Sequence, residues 1–280
     1  IEKTTSGKIP KRQTEQVAVA VAQDFDAFHS SRETKQSEQT SSILAMSTDG
    51  KGIVMRKEDL RPATRKAAEQ EDQRTGARLQ PGEKPNRKRM AQVATVYDIE
   101  PYERSAEQIM GLGSEEERSP RPKPTNKQVW ASVDKEPEDV IGAIFEEALR
   151  RDPTRSRTWA MLVDGGEKQL EIILTNIARY RPDVILILDF IHVLEYVWKA
   201  AHGLFGVGRQ EAQAWVAAQA LRILKGEASN VAIDMRREAT RRQLTQKQRE
   251  PVDKCANYLT KYLPMLEYDF YLSEGLPIAT

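Results

Sequence analysis

Short apolar runs alternate with amphipathic segments through the central part of this 280-residue chain. The apolar runs have the length of strands, whereas the segments between them repeat their apolar residues at helical spacing. The predicted strands are residues 128–133, 159–163 and 183–188, and the predicted helices are residues 137–151, 168–180 and the segment after Asp189. The last strand, DVILIL, is apolar after its first residue, which is typical of a parallel strand buried on both faces. This alternation predicts an α/β fold with parallel pairing.

The flanking segments extend this α/β layer in both directions. Apolar runs at 43–46, 53–55 and 91–99 predict further strands, and the glycine-rich Asp49–Gly52 predicts a turn between the first two. Residues 208–273 show helical spacing without strand signals. Thr14 is the predicted N-cap of a first helix. The predicted organisation is an N-terminal helical segment over residues 1–36, an α/β core over 37–206 and an all-helical region over 207–280.

The composition fits a folded protein with a strongly charged surface. Hydrophobic residues make up 39% of the chain, enough for a core, and charged residues make up 30%. The single cysteine, Cys255, cannot form an internal disulfide, which fits a reducing cytosol. We expect Cys255 to be a small buried residue rather than a nucleophile. No apolar run approaches the roughly 20 residues of a membrane span, so we expect no membrane association.

Two aspartates share one local pattern. Asp49 and Asp164 each follow an apolar run that predicts a strand, and each precedes a glycine. Side chains in this position are exposed at the carboxyl edge of an α/β sheet, where sites commonly form. If the two strands are neighbours, the carboxylates lie close together, repel one another and favour a divalent cation between them. Mg²⁺ prefers such hard oxygen ligands and often keeps waters and substrate phosphates in its shell.

These aspartates also have an ordinary structural interpretation. Asp-Gly is a common turn, and aspartate often caps a following helix. A third aspartate, Asp189, again follows a predicted strand, and His192 lies three residues further on. This Asp-x-x-His pair suits either a metal ion or a helix cap with a histidine held against the sheet. Its spacing favours the structural role.

Longer segments of the chain resemble one family of proteins. The segments are IPKRQTEQVAVAVAQDFDAF (9–28), STDGKGIVMR (47–56), NRKRMAQVATVYDI (86–99), KQVWASVDKEPEDVI (127–141), LVDGGEKQLEIILTNIARYRPDVILILDFIHVLEYVWKAAHGLF (162–205) and PVDKCANYL (251–259). Together they resemble the ISKra-type insertion-sequence transposases, a group of the DDE transposases, over nearly the whole chain. The stretch LDFIHVLEYVWKAA (188–201) is highly specific.

The resemblance implies a fold, a reaction and a metal site. The implied fold is an RNase H-like mixed sheet flanked by helices and interrupted by a helical insertion. Asp49 and Asp164 would be the first and second catalytic acids, binding Mg²⁺ or Mn²⁺ for DNA strand cleavage and strand transfer. Asp189 and His192 would form the Cys/Asp-x-x-His signature, which lies beside the active site and is not a primary metal ligand.

The third acid of the family is a glutamate that follows the helical insertion. The family pattern places it just beyond Gly275–Thr280, where the sequence ends, and Glu274 does not match the motif. The start at Ile1 and the apolar end likewise suggest a chain cut from a longer one. We therefore expect a transposase fragment in which strand transfer is impaired.

Two basic clusters are candidates for DNA contact, because phosphate neutralisation supplies much of the affinity of DNA-binding proteins. The first comprises Lys84, Arg87, Lys88 and Arg89, and the second comprises Arg236, Arg237, Arg241 and Arg242. Each cluster is alternatively a solvated charged face. Trp198 and Trp215 would either stack on an unpaired base or anchor the core. Residues 1–36 are either half of a helix-turn-helix unit or a packing helix.

The resemblance also implies partners and a location. The partners would be transposon ends and target DNA, with a homo-oligomer assembled on paired ends, in the bacterial cytoplasm at the nucleoid. Two other functions stay open: a non-catalytic DNA-binding remnant that competes with intact transposase, and an RNase H-like nuclease that hydrolyses strands without joining them. A phosphatase with an aspartyl nucleophile is disfavoured, because Asp49-Gly50-Lys51 lacks the paired Asp-x-Asp of such enzymes.

Overall fold

The computed structural model describes residues 10–24, 27, 42–62, 64–66, 69, 88–112, 120–181 and 183–279. The chain divides into two compact units, residues 1–39 and residues 40–280. In the first unit, helix α1 (Lys11–Ala22) confirms the predicted N-terminal helix. The predicted cap at Thr14 is wrong, because Pro10 occupies the N-cap position and Thr14 lies inside the helix. The carbonyl oxygen of Pro10 accepts the N–H groups of Gln13 and Thr14 at 2.9 and 3.2 Å, so the first helical hydrogen bonds form before Thr14.

The second unit contains a five-stranded mixed sheet. Its strands are β1 (Ile43–Val54), β2 (Lys88–Ile99), β3 (Thr125–Ser132), β4 (Thr158–Val163) and β5 (Ile185–Leu188). They lie in the order β3-β2-β1-β4-β5. β1 pairs antiparallel with β2, and β2 with β3, whereas β1 pairs parallel with β4, and β4 with β5. The predicted α/β class and the mixed sheet are confirmed.

β1 runs through the segment that the sequence predicts to be a turn. Its pairing with β2 is continuous over all 12 residues from Ile43 to Val54. The predicted turn at Asp49–Gly52, with a separate strand after it, is therefore wrong. The cross-strand ladder with β2 supplies backbone hydrogen bonds along the whole segment, and this outweighs the local preference of glycine for turns.

Helices cover the sheet and alternate with its parallel strands. They are α2 (Ala106–Ile109), α3 (Pro137–Arg151), α4 (Glu167–Tyr180) and α5 (Phe190–Phe205), and a 3₁₀ turn at Lys57–Asp59 follows β1. The bounds of α3 equal the predicted ones, because Pro137 is favourable at the first helical position. Acidic residues in its first turn and basic residues in its last turn complement the helix dipole.

The C-terminal region is helical, as predicted. It contains α6 (Gln210–Leu224), α7 (Ala228–Arg241), α8 (Gln246–Lys261) and α9 (Tyr268–Ser273), with a 3₁₀ turn at Leu263–Met265. The most extensive helix packing in this region joins α8 to α5. Cys255 is buried in α8, and burial raises its pKa to about 12, which fits the predicted structural role. None of the described helices has the length and apolar character needed to cross a membrane.

The last helix and residues 276–279 close the outer edge of β5. Tyr268 Oη donates to the carbonyl oxygen of Leu188 at 2.6 Å, and Tyr271 Oη donates to that of Leu186 at 3.2 Å. The N–H of Phe190 donates to the carbonyl oxygen of Ile278 at 2.8 Å. Backbone groups of an edge strand are costly to bury unpaired. These contacts therefore allow β5 to lie in the core although it is the last strand of the sheet.

A buried ionic network lies at the end of the sheet where the parallel strands β1 and β4 begin. Asp152 is 2% exposed and accepts hydrogen bonds from Trp159 Nε1 at 2.9 Å and from the N–H of Arg157 at 3.0 Å. Arg157 in turn donates to Asp98 at 2.8 Å. Burial alone would raise the pKa of Asp152, but these hydrogen bonds hold it below its usual value. The folded chain therefore favours the ionised form of Asp152.

We predict that Asp152→Asn lowers the free energy of unfolding by about 3 kcal/mol at pH 7, because the buried guanidinium of Arg181, 3.4 Å from Asp152, loses a charged partner. The folded pKa of Asp152 is depressed, so its stabilisation is complete above the unfolded value of about 4. It is lost as the pH falls through the folded value. The difference between wild type and variant should therefore shrink below about pH 4, as measured by urea unfolding across pH.

Asp253→Asn is the matched control for this measurement. Asp253 is a partly exposed carboxylate on α8 that pairs with Arg249 at 3.1 Å. Exposed pairs of this kind contribute less than about 1 kcal/mol. Equal losses in the two variants, or a loss at Asp152 that does not change with pH, would contradict a structural role for the ionised carboxylate.

Candidate active site

Three aspartates, one within β1 and one directly after each of β4 and β5, lie at the same level of the sheet. The register pairs Ser47 of β1 with Leu162 of β4, and Leu162 with Ile187 of β5. Two residues beyond this row, at the carboxyl edge, lie Asp49, Asp164 and Asp189. β1 and β4 are adjacent in the sheet. This meets the condition under which the sequence predicts that the carboxylates of Asp49 and Asp164 lie close together.

Asp49 is exposed on β1, just past the residues that pair with β4. On its other side the strand stays paired with β2, where Val93 lies opposite Asp49. Gln92 Nε2 donates to the carbonyl oxygen of Asp49 at 3.2 Å and to Thr48 Oγ1 at 2.5 Å. The backbone of Asp49 is therefore held by β2 and by Gln92, while its carboxylate remains accessible to solvent.

Asp164 begins a tight loop that leads from β4 into α4. Its Oδ1 accepts the N–H of Gly166 at 2.8 Å, which forms an Asx-type turn. Gly165 has φ +84°, in the left-handed region. Ring atoms of Tyr262 and Tyr258 lie 3.0 and 3.1 Å from the position that its Cβ would occupy. Backbone conformation and packing therefore both favour glycine here.

Two tyrosines, Tyr258 of α8 and Tyr262 at its C-cap, bond to this loop. Tyr258 Oη donates to the carbonyl oxygen of Asp164 at 2.8 Å, and Tyr262 Oη donates to that of Gly165 at 2.5 Å. The ring of Tyr258 stacks on that of Tyr196, with centroids 3.9 Å apart and planes at 9°. Burial, reinforced by nearby Tyr196 and Asp164, raises the pKa of Tyr258. Its hydroxyl therefore remains protonated and available as a donor.

Asp189 caps the start of α5. It is buried, and its Oδ1 accepts the N–H of Ile191 at 2.8 Å. His192 Nδ1 lies 3.7 Å from the same oxygen, beyond hydrogen-bonding distance. This is the helix-cap geometry that the spacing favours over a metal-binding pair. Within the described ranges, no three His, Cys, Asp or Glu side chains converge in a group that could hold a metal ion.

Several polar residues at this edge are not predicted from the sequence. Gln169, in the first turn of α4, donates from Nε2 to Gln92 Oε1 at 3.3 Å. Gln92 leaves a local signal, because it is an amide within the apolar run AQVATV and a buried amide needs partners. Nothing local identifies Gln169, Tyr258 or Tyr262, because their partners are distant in sequence.

The first basic cluster lies partly on β2. Lys88 is exposed opposite Val54, at the end of the antiparallel β1–β2 pair. Arg89 pairs with Asp134 at 2.7 Å. Lys84 and Arg87 lie outside the described residues. Of the two described members, Lys88 is exposed to solvent, whereas Arg89 is bonded to an acid.

The second basic cluster lies on α7 and its C-cap, among acidic residues. Arg241 and Arg242 both pair with Glu238 at 2.5 Å. The hydrogen bond from Arg242, together with Arg241, lowers the pKa of the Glu238 carboxyl. The guanidinium of Arg242 also lies over the ring of Phe205, 4.4 Å from its centroid. Arg242 is therefore committed to packing as well as to an ion pair.

The other members of this cluster are less constrained. Arg236 donates to the side chain of Asn257 at 2.6 Å, and Arg237 lies 3.6 Å from Asp234. The side chains of Arg237 and Arg241 are 77% and 75% exposed. These two arginines therefore present the most accessible positive charge of the cluster.

The two tryptophans differ in exposure. Trp215 is partly buried and packs near Phe205, with ring centroids 6.1 Å apart. Trp198 is 37% exposed, and its ring lies 5.8 Å from that of His202. Trp215 therefore contributes to the core, whereas Trp198 presents part of its ring to solvent.

We predict that Gly165→Ala destabilises the chain by about 2–3 kcal/mol in urea unfolding. A left-handed conformation costs an L-residue about 1–2 kcal/mol, and contact with the tyrosine rings adds to it. Gly208→Ala is the matched control, because Gly208 has φ +78° and nothing lies within 4 Å of its Cβ position. The control should lose only the backbone part. Equal losses would show that the rings do not constrain this loop.

Comparisons with known proteins do not identify a family for this chain. No protein-family model matches it, and neither a curated protein nor a solved structure matches it. The resemblance to ISKra-type transposases therefore stays a prediction from sequence segments. The fold class and the row of aspartates rest on the geometry of the chain itself.

Proposed function

We propose that this chain forms most of the metal-binding core of a DNA transposase that cleaves and joins DNA strands. The observation that carries the proposal is the equivalent position of Asp49 and Asp164, each two residues beyond the last pair of the parallel β1–β4 ladder. The mixed sheet flanked by helices fits an RNase H-like core. The helices α6 to α9 fit the helical insertion that the resemblance to ISKra-type transposases implies.

The two proposed ligands differ from other acids of the core in their surroundings. Asp98 and Asp152 are buried and paired with arginines. Asp49 is exposed and Asp164 is half-buried, and among the described residues neither belongs to an ion pair. Carboxylates brought together without a cationic side chain favour a bound cation. This contrast supports a binding role for Asp49 and Asp164 and a structural role for Asp98 and Asp152.

Asp49 and Asp164 suit a divalent cation such as Mg²⁺ or Mn²⁺. Mg²⁺ is often held by one or two carboxylates, with waters and substrate phosphates completing its shell. These two residues would therefore hold the ion. When bound, it supplies Lewis acidity at a phosphoryl oxygen and lowers the pKa of an attacking water or hydroxyl.

The surrounding residues keep the proposed ligands in place. The N–H of Gly166 orients the Asp164 carboxylate, and Tyr258 and Tyr262 fix the backbone of its loop. Sites supported in this way keep a productive geometry better than sites on free loops. Asp189 is engaged as the cap of α5, so we assign it, with His192, a position beside the metal rather than in its shell.

We further propose that the third acid is a glutamate that follows Thr280. The carbonyl oxygen of Ile278 accepts the N–H of Phe190, so the chain lies against the head of α5, next to Asp189. The family pattern places its glutamate just after this segment.

DNA contact is proposed for the two basic clusters. On α7, Arg237 and Arg241 are the strongest candidates because their side chains are exposed. On β2 the strongest candidate is Lys88, for the same reason. Contacts of this kind neutralise phosphates and make binding sensitive to salt. A homo-oligomer on paired transposon ends and a place at the bacterial nucleoid are proposed on the resemblance alone.

We predict that Mn²⁺ binds this chain in a calorimetric titration. Asp49→Asn and Asp164→Asn should each weaken binding by at least about tenfold, because each replaces a charged carboxylate ligand by a neutral amide. Asp253→Asn, a change of the same chemistry on α8, should leave binding unchanged. A chain extended through the proposed glutamate should bind Mn²⁺ more tightly, and only this longer chain should nick supercoiled plasmid DNA.

The outcomes separate the proposal from its alternatives. Equal Mn²⁺ binding by wild type, Asp49→Asn and Asp164→Asn would rule out the proposed site. Salt-sensitive DNA binding that needs no metal, without nicking by the extended chain, would favour a DNA-binding remnant. Nicking by the extended chain without any joining of strands would favour a nuclease.

A further inference from the structure

A bridge of side chains crosses the sheet edge between the two proposed ligands. Gln169 Nε2 donates to Gln92 Oε1 at 3.3 Å. Gln92 Nε2 donates to Thr48 Oγ1 at 2.5 Å and to the carbonyl oxygen of Asp49 at 3.2 Å. Thr48 Oγ1 in turn donates to the carbonyl oxygen of Val93 at 2.8 Å. The bridge therefore runs from the first turn of α4 to the backbone of β1 and β2 at Asp49.

Each end of the bridge lies beside one proposed ligand. Gln169 Oε1 and Asp164 Oδ1 lie 3.5 and 3.1 Å from one point, the position of a Cβ atom on Gly166. Gln169 Nε2 lies 3.2 Å from the corresponding position on Gly50, the residue after Asp49. Because Gly50 has no Cβ atom, the amide of Gln169 can lie against β1 beside Asp49.

The bridge has a buried half and a solvent-accessible half. Thr48 and Gln92 are each 6% exposed, and the bonds above give both side chains partners. Gln169 is half-buried. A buried polar network whose members are satisfied is rigid, because each group loses much if it leaves its partners. Thr48 and Gln92 can therefore hold the side chain of Gln169 in one position.

We propose that Gln169 and Gln92 are positioning residues that set the separation of Asp49 and Asp164, and with it the affinity of the site for a divalent cation. This inference rests on the proposed function. The parallel pairing of β1 and β4 ends at Ser47 and Leu162, two residues before the ligands. Beyond that point the bridge links β1 and β2 to α4, the helix that follows the Asp164 loop. Residues that orient metal ligands typically contribute about 10–100-fold in affinity.

The test is a calorimetric Mn²⁺ titration of Gln169→Ala, Gln169→Met and Gln92→Ala beside the wild-type chain. Gln169→Met keeps the length of the side chain but removes its amide. Each variant should bind Mn²⁺ about tenfold more weakly. The melting temperature of the two metal-free Gln169 variants should change by less than about 4 °C. The double variant Gln92→Ala/Gln169→Ala should bind Mn²⁺ no more weakly than the single variant with the lower affinity, because both substitutions break the same bridge.

Thr175→Ala is the matched control on the same helix. Thr175 is exposed and its Oγ1 donates to the carbonyl oxygen of Glu171 at 2.9 Å, so its loss should leave Mn²⁺ binding unchanged. If both Gln169 variants bind like wild type while Asp164→Asn loses binding, the positioning role is overturned and the proposed site stands. If wild type does not bind Mn²⁺, or Asp164→Asn binds as well as wild type, the proposed function fails and the bridge loses its role with it.

Discussion

Parallel pairing of β4 with β1 on one side and with β5 on the other is the constraint on which the rest of the structure depends. It aligns three strands so that an aspartate leaves each of them at the same level. A shift of one residue in either pairing would turn the side chains of a strand to the opposite face. The residues of β4 are buried on both faces, so such a shift would press side chains of different size against the packed layers on each face. The candidate site is thus a consequence of core packing.

The helical region completes the sheet and does not stand apart from it. Four of its tyrosine hydroxyls donate to backbone carbonyl oxygens just after β4 or within β5, those of Asp164, Gly165, Leu186 and Leu188. Burial raises the pKa of three of these tyrosines, Tyr258, Tyr268 and Tyr271, so their hydroxyls remain donors. One set of bonds closes the edge of β5, and the other fixes the loop of Asp164. The stability of the core and the geometry of the site are therefore coupled.

The acidic residues at the two ends of the parallel strands differ in burial and in pairing. At the amino edge, Asp98 and Asp152 are buried against arginines and donors, so their charges hold the fold together. At the carboxyl edge, Asp49 and Asp164 are not fully buried, and among the described residues neither carboxylate pairs with a cationic side chain. Their charge is therefore available for an external cation. Asp189 stands between these cases, because it is at the carboxyl edge but buried as a helix cap.

Local sequence by itself determined most of the helices and strands, since apolar spacing, Pro137 at a helix start and aspartates after strands act within a few residues. Helix α3 has the predicted bounds, and β4 begins one residue earlier than predicted. Tertiary structure alone decided that β1 continues through Asp49–Gly52, because its ladder partners come from β2, about 40 residues away. It also decided the strand register, the contact of Gln169 with Gln92 and the tyrosines that anchor the Asp164 loop. Such interactions join residues far apart in sequence, so no local pattern encodes them.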